Sequence, residues 1–173
     1  VREIGVVFGQ RTQLWWDLPV IESFDLLRDI YAVPAAAYAA ARDELIAMLD
    51  LAPLLDVPVR QLSLGQRMRC DLALSLLHAP AIQFLDEPTI GLDPVAREAV
   101  WEHIARVRAG LSMTILLTTH YMEEATQLCT RLGIMRRGKL VALGSLQELR
   151  ATSGDGDATL DALFAHYTED VTE

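Results

Sequence analysis

Two adjacent acids, Asp86 and Glu87, close the apolar run Ala81-Ile82-Gln83-Phe84-Leu85. Such a run reads as a short strand buried on both faces, apolar until it ends. Ligands of open parallel sheets bind beyond the carboxyl ends of the strands, where this pair emerges. Neighbouring strand residues point in opposite directions, so one carboxylate can hold Mg2+ while the other faces a substrate. A hard cation shared with phosphates takes one or two carboxylates plus water, and an unligated carboxylate can accept a proton from an attacking water. The competing reading is a pair of solvated turn carboxylates, and the dipeptide alone does not separate the two.

Other residues could act with the pair. Ser63 and Gly65 stand at the start of an apolar helix, where free backbone N–H groups and the helix dipole attract anions; alternatively, Ser63 only caps its helix. Asp93-Pro94 is a strong helix start, an acidic cap followed by proline at the first helical position. Gln10 carries an amide that can reach a metal or a water, with Gln13 as a nearby rival. Trp15 and Trp16 on the same loop suit a partner's surface or their own core. His120 follows the apolar run Thr114–Thr118, whereas His78, His103 and His166 read as structural.

Elements that must position these groups follow from periodicity. Ile4–Phe8 and Thr114–Thr118 read as strands, and Ala81–Leu85 as a third. Helical spacing covers Val20–Tyr31, a stretch from Pro34 to about Leu51, Gln66–His78, Asp93 to about Ala109 with Gly110 stopping it, and Tyr121–Leu132. Two short strands flank Arg137-Gly138, and a last short helix begins at Ser145–Arg150. Thr152–Asp157 reads as a linker before an amphipathic tail, Ala158–Tyr167. Strands alternating with helices predict an α/β fold with a mainly parallel sheet.

The 173 residues suffice for one domain with a core, and 51% hydrophobic content argues against disorder. A net charge of −9 argues against nucleic acid as the main ligand. Cys70 and Cys129 lack metal-type spacing and read as buried reduced thiols, which fits a cytosolic compartment. The longest apolar stretch, Leu72–Leu85, is interrupted by His78, Pro80 and Gln83 and is too short to span a bilayer.

Taken together, Leu62-Ser63-Leu64-Gly65-Gln66-Arg67, then Asp86-Glu87-Pro88-Thr89 with Gly91-Leu92-Asp93-Pro94, then Leu116-Leu117-Thr118-Thr119-His120 resemble the ATPase domain of ABC transporters. The blocks match its signature sequence, its Walker B strand with D-loop, and its switch histidine; Val7-Phe8-Gly9-Gln10 resembles its Q-loop. The resemblance runs from Ile4 to about Glu148. It implies a partial P-loop NTPase fold with an inserted helical subdomain, an ATPase domain over residues 1–151 (helical subdomain 20–78, catalytic core 79–151), and a linker and tail over 152–173. It implies ATP and Mg2+ as ligands, with Asp86 and Gln10 near the metal, Glu87 activating water and His120 steadying the γ-phosphate. Ser63, Gly65 and Gln66 would close the site of a second, head-to-tail ATPase subunit, with Asp93 communicating across that interface. It further implies transmembrane permease subunits, a place on the cytoplasmic face of the cell membrane, and no nucleic-acid partner. The Gln10 segment and short tail resemble the exporter branch that includes drug and sodium efflux ATPases.

Two departures matter. Leu64 stands where the family has glycine, and would be strained if that position needs positive φ. The phosphate loop Gly-x-x-x-x-Gly-Lys-Ser/Thr is nowhere in these residues, and the opening Val1-Arg2-Glu3-Ile4-Gly5-Val6-Val7-Phe8 reads as the middle of a strand, so an N-terminal portion is expected to be missing. The chain alone is therefore expected to bind ATP poorly and to be inactive. Two other expectations compete with a transporter ATPase: a non-catalytic module supplying the signature in trans, and a soluble ABC ATPase of translation or DNA repair, which the acidic balance disfavours.

Overall fold

The structure, a computed structural model, describes residues 3–168. In chain order they form β1 (Ile4–Phe8), α1 (Val20–Tyr31), α2 (Ala35–Met48), α3 (Leu64–Leu76), β2 (Ile82–Asp86), α4 (Pro94–Gly110), β3 (Thr114–Thr118), α5 (Met122–Leu128), β4 (Leu132–Arg136), β5 (Lys139–Gly144), α6 (Leu146–Ser153) and α7 (Leu160–Thr168). The chain divides after Thr118 into two compact units.

In the first unit, β1, β2 and β3 pair in parallel in that order. Parallel neighbours need long crossovers, supplied by α1–α3 between β1 and β2 and by α4 between β2 and β3. Phe8, Asp86 and Thr118 share one register row, so the three strands end level. Val7, Gln83 and Leu85 lie buried on the side of the sheet where α3 packs. The opposite side corrects the expectation of a strand buried on both faces. Ile4, Phe8, Ile82 and Leu116 point away from α3 and remain 37–51% exposed.

Helix α3 is the hub of this unit. It packs against α1, α2, α4 and β1, and Met68, Cys70 and Asp71 through Leu76 are buried along it. Each fully buried leucine contributes about 1.5–3 kcal/mol. Helix α2, alanine-rich after Pro34, buries only Tyr38 and Leu45. Helix α4 starts at Pro94 as its sequence predicts and retains Gly110 as its last residue. Around its middle, His103 is buried beside Asp50, which also pairs with Arg106 at 2.9 Å.

The second unit, from Thr119 onward, is built on the antiparallel hairpin β4–β5. Its turn, Arg137-Gly138, has both φ angles positive (47° and 76°), the twist that suits a two-residue hairpin. Leu132, Ile134, Leu149, Ala158, Leu160 and Leu163 form its core. Helix α5 ends at Leu128, and Leu132, expected in that helix, belongs to β4. The expected linker 152–157 is partly helical: α6 reaches Ser153 and is stopped by Gly154 at φ 82°, a left-handed cap that glycine adopts at little cost. Residues set apart as linker and tail thus pack into this unit as far as Thr168, and the expected residues 169–173 lie outside those described.

Candidate functional site

The level strand ends put the loops after β1 and β2 at one edge of the sheet, beside the last residue of β3. Asp86 is the last residue of β2, and its Oδ1 accepts the Thr118 hydroxyl of β3 at 2.6 Å. Glu87 N–H donates to the Thr118 carbonyl at 3.0 Å and to its hydroxyl at 3.1 Å. Glu87 itself has φ +47°, a left-handed conformation that a non-glycine residue adopts at a cost and that clusters at functional sites. A tight turn follows, with Ile90 N–H donating to the Glu87 carbonyl and Leu92 N–H to that of Thr89.

Beyond β1, Gly9 N–H donates to the Asp86 carbonyl at 2.8 Å. A Cβ on Gly9 would fall 1.9 Å from the Glu87 carbonyl oxygen, so only glycine lets the loop pass this closely. Gln10, the next residue, is exposed. Its rival Gln13 is committed elsewhere: its amide donates to the Val6 carbonyl and its N–H to Asp71 Oδ1 at 2.9 Å. A shallow hollow of about 240 Å³ lies along the open face of the sheet, lined by Phe8, Phe84, Asp86, Leu116 and Thr118 among others.

Ser63 caps α3 through a reciprocal box. Gln66 N–H donates to Ser63 Oγ at 3.2 Å, and Ser63 N–H donates to Gln66 Oε1 at 2.9 Å. Leu64 is the first helical residue and is not among the positive-φ positions, so the strain expected of it is absent. A Cβ on Gly65 would touch Ala96 at 3.5 Å, and one on Gly91 would touch Leu64 at 3.6 Å. The start of α3 and the turn before α4 are thus immediate neighbours. Asp93 Oδ1 accepts from Ala96 N–H at 3.0 Å, which makes it a helix cap in fact as well as in sequence.

His120 is exposed, two residues past β3 and in the second unit, with its ring 4.2 Å from that of Tyr121. Trp15 and Trp16 are 46% and 49% exposed, contrary to a core role, and Arg67 lies over the Trp16 ring at 4.8 Å. Burial pushes the Cys70 thiol up to about 12, and Cys129 is only half-buried, a correction to its expected burial. His78 Nε2–H donates to the Ile4 carbonyl at 3.1 Å, and the ring stacks on Tyr31.

Sequence reasoning singled out neither Thr118, Gly9 nor Asp71, although Thr118 and Gly9 lie inside the quoted blocks. One stretch, Gly133-Ile-Met-Arg-Arg-Gly138-Lys139, fits the first seven positions of a phosphate loop. Leu140 follows in place of Ser or Thr, and the stretch folds as the β4–β5 hairpin, so it is no such loop.

Chemically, an ionised carboxylate has about four acceptor sites. The Thr118 hydroxyl orients Asp86 and leaves capacity for a cation or its water shell. Among the described residues no three His, Cys, Asp or Glu side chains form a cage. Two oxygen-donor acids at an exposed edge fit Mg2+, which is held by few protein ligands together with phosphates and water.

Residues 1–90 match the family described as ABC transporter. The chain is 41% identical over 151 residues to daunorubicin resistance ATP-binding protein DrrA3 of Streptomyces coeruleorubidus, covering 87% of this chain and 47% of that protein. It is 40% identical over 146 residues to Nod factor export ATP-binding protein I of Ralstonia nicotianae, covering 84% and 45%. The chain thus spans about half the length of these relatives. Among solved structures, an ATP binding subunit of an ABC transporter superposes with a TM-score of 0.80 at 27% identity, over 97% of this chain and 69% of that one. CbiO1 of Clostridium perfringens, part of the ABC transporter complex cbiONQ, gives 0.74 at 27% identity, over 87% and 60%. The chain belongs to the ABC transporter family, and within it to the ATP-binding subunits.

Proposed function

We propose that this chain forms the hydrolytic edge of an ATP-driven export system, acting with membrane permease subunits at the cytoplasmic face of the membrane and with a second, head-to-tail ATPase subunit. The observation that carries the reading is the shared register row Phe8, Asp86 and Thr118, which brings Gln10, Asp86 and Glu87 to one edge. Bound Mg2+ would neutralise charge on the terminal phosphates of ATP. Asp86, oriented by the Thr118 hydroxyl, holds the cation, chiefly through water, with the Gln10 amide beside it. Glu87 accepts the proton of the attacking water. His120, at the end of the Thr-Thr-His block, steadies the γ-phosphate. The free N–H groups at the start of α3, with Ser63, Gly65 and Gln66, close over the neighbour's nucleotide, and Asp93 lies on that same interface. Export rather than import is supported by relatives named for drug resistance and for Nod factor export.

Assembled with its partners, the protein with Glu87→Gln is expected to bind ATP and to hydrolyse it at least a hundredfold more slowly. Hydrolysis at a wild-type rate would refute the role of Glu87.

A further inference from the structure

Asp71 is a carboxylate buried in the middle of α3, only 2% exposed, far from any capping position. Nothing in the hydrolytic reading uses it. Its hydrogen-bond partner lies on the loop that follows Gln10: Oδ1 accepts from Gln13 N–H at 2.9 Å, with Thr12 and Leu14 of the same loop close enough to lower its pKa. Thr12 Oγ1 in turn accepts from Leu14 N–H at 3.1 Å. One carboxylate thus grips the loop at Gln13 across 58 positions of sequence.

The grip is part of a stripe along one face of α3. One turn earlier, Arg67 lies over Trp16 of the same loop, and one turn later the Ser75 hydroxyl reaches Gln83 of β2 at 3.2 Å. Residues four apart share a helix face, so 67, 71 and 75 align the loop, the helix and the sheet. On the loop's far side, Gln13 fastens to the Val6 carbonyl and Trp15 N–H to Ser23 Oγ at 3.0 Å.

A buried carboxylate is costly even when hydrogen-bonded. Burial pushes Asp71 up to about 6, against the opposing pull of its loop donors and of Arg67; Cys70 is the other ionisable neighbour. An apolar residue would suit the core of α3 better, so the carboxylate must be accounted for by what it holds.

We propose that Asp71 is a positioning residue that locks the loop carrying Gln10 onto α3, so that Gln10 at one site and the Ser63 end of α3 at the neighbour's site move as one body. The catalytic part of this rests on the functional reading above; the lock itself does not.

Two measurements test it. In this protein, hydrogen exchange at the Gln13 and Leu14 amides is expected to quicken at least tenfold in Asp71→Ala and at least threefold in Thr12→Val, while Phe84 on β2 is unchanged. In the assembled complex, Asp71→Ala is expected to lower kcat at least tenfold with KM for ATP within twofold. Asp71→Asn, which keeps one acceptor oxygen for Gln13 N–H, should recover kcat to within threefold of wild type. Unchanged loop exchange in both variants overturns the lock, and if Asp71→Ala does not fold, Thr12→Val alone decides. Quickened exchange with wild-type kcat overturns the positioning role. Should the wild-type complex not hydrolyse ATP at all, the functional reading falls, and the exchange result still decides whether the lock exists.

Discussion

Gly9 and Glu87 are in backbone contact: the position a Cβ would take on Gly9 is 1.9 Å from the Glu87 carbonyl oxygen and 2.8 Å from its carbonyl carbon. The obstruction is main chain, which cannot swing aside as a flexible side chain would. The contact ties the loop bearing Gln10 to the turn that holds Glu87 at φ +47°.

Gly9→Ala should therefore force the two loops apart. We expect a loss of about 1–3 kcal/mol in stability, the usual range for overpacking, and at least a tenfold fall in hydrolysis. Urea unfolding and steady-state turnover of the assembled complex measure the two effects.

Thr118→Val removes the hydroxyl that orients Asp86 while keeping the side chain's shape. Asp86 is exposed, so the stability change should stay below about 1 kcal/mol, within the range of a single hydrogen bond. Turnover should fall about tenfold, with Thr118→Ser restoring most of it. Equal turnover in all three proteins would remove Thr118 from the site.

Ser63 has two roles that one pair of variants separates. Ser63→Ala loses the cap and should cost about 1 kcal/mol. Ser63→Asp keeps a good cap but sets a negative charge against an incoming phosphate. Thermal unfolding should show Ser63→Asp as stable as wild type, and ATP-dependent pairing of subunits should fail in it.

Asp71 makes stability depend on pH in an unusual direction. Its folded carboxyl keeps its proton up to about pH 6, against 3.8 ordinarily. Between these values the folded state binds more protons than the unfolded one. This group's stabilisation is therefore full below the lower value and is lost as pH rises through the higher one. Removing the carboxylate should abolish that slope. From pH 4 to pH 7.5, Asp71→Asn should gain on the order of 2 kcal/mol relative to wild type, measured by urea unfolding at both pH values.

Local pattern made much of this molecule legible. Ile4–Phe8 and Thr114–Thr118 are continuous apolar or β-branched runs, and both strands have those bounds. Asp93-Pro94 and Ser145 mark helix starts through side chains that do cap. The strand ending expected at Leu85 extends to Asp86, because ladder pairing with Phe8 and Thr118 depends on backbone and not on side-chain polarity. Helix α5 stops early because Cys129 turns extended (ψ 136°) and the apolar residues beyond it serve a strand equally well. What could not be read was contact at long range. Nothing adjacent to Asp71 announces a loop 58 residues away, and a carboxylate within an apolar helix breaks the pattern without naming its partner. The close pass of Gly9 and the Thr118–Asp86 bond likewise arise only once three strands align.

Two neighbouring carboxylates that do different work must separate in how ATP affinity depends on Mg2+ when Asp86→Asn and Glu87→Gln complexes are compared. Asp86→Asn should bind ATP with an affinity that Mg2+ changes less than twofold. Glu87→Gln should keep the full wild-type enhancement by Mg2+ while turning over at under about 1% of the wild-type rate, a barrier increase of roughly 2.7 kcal/mol or more. Identical Mg2+ dependence in the two variants, or wild-type turnover by Glu87→Gln, would contradict that division of work.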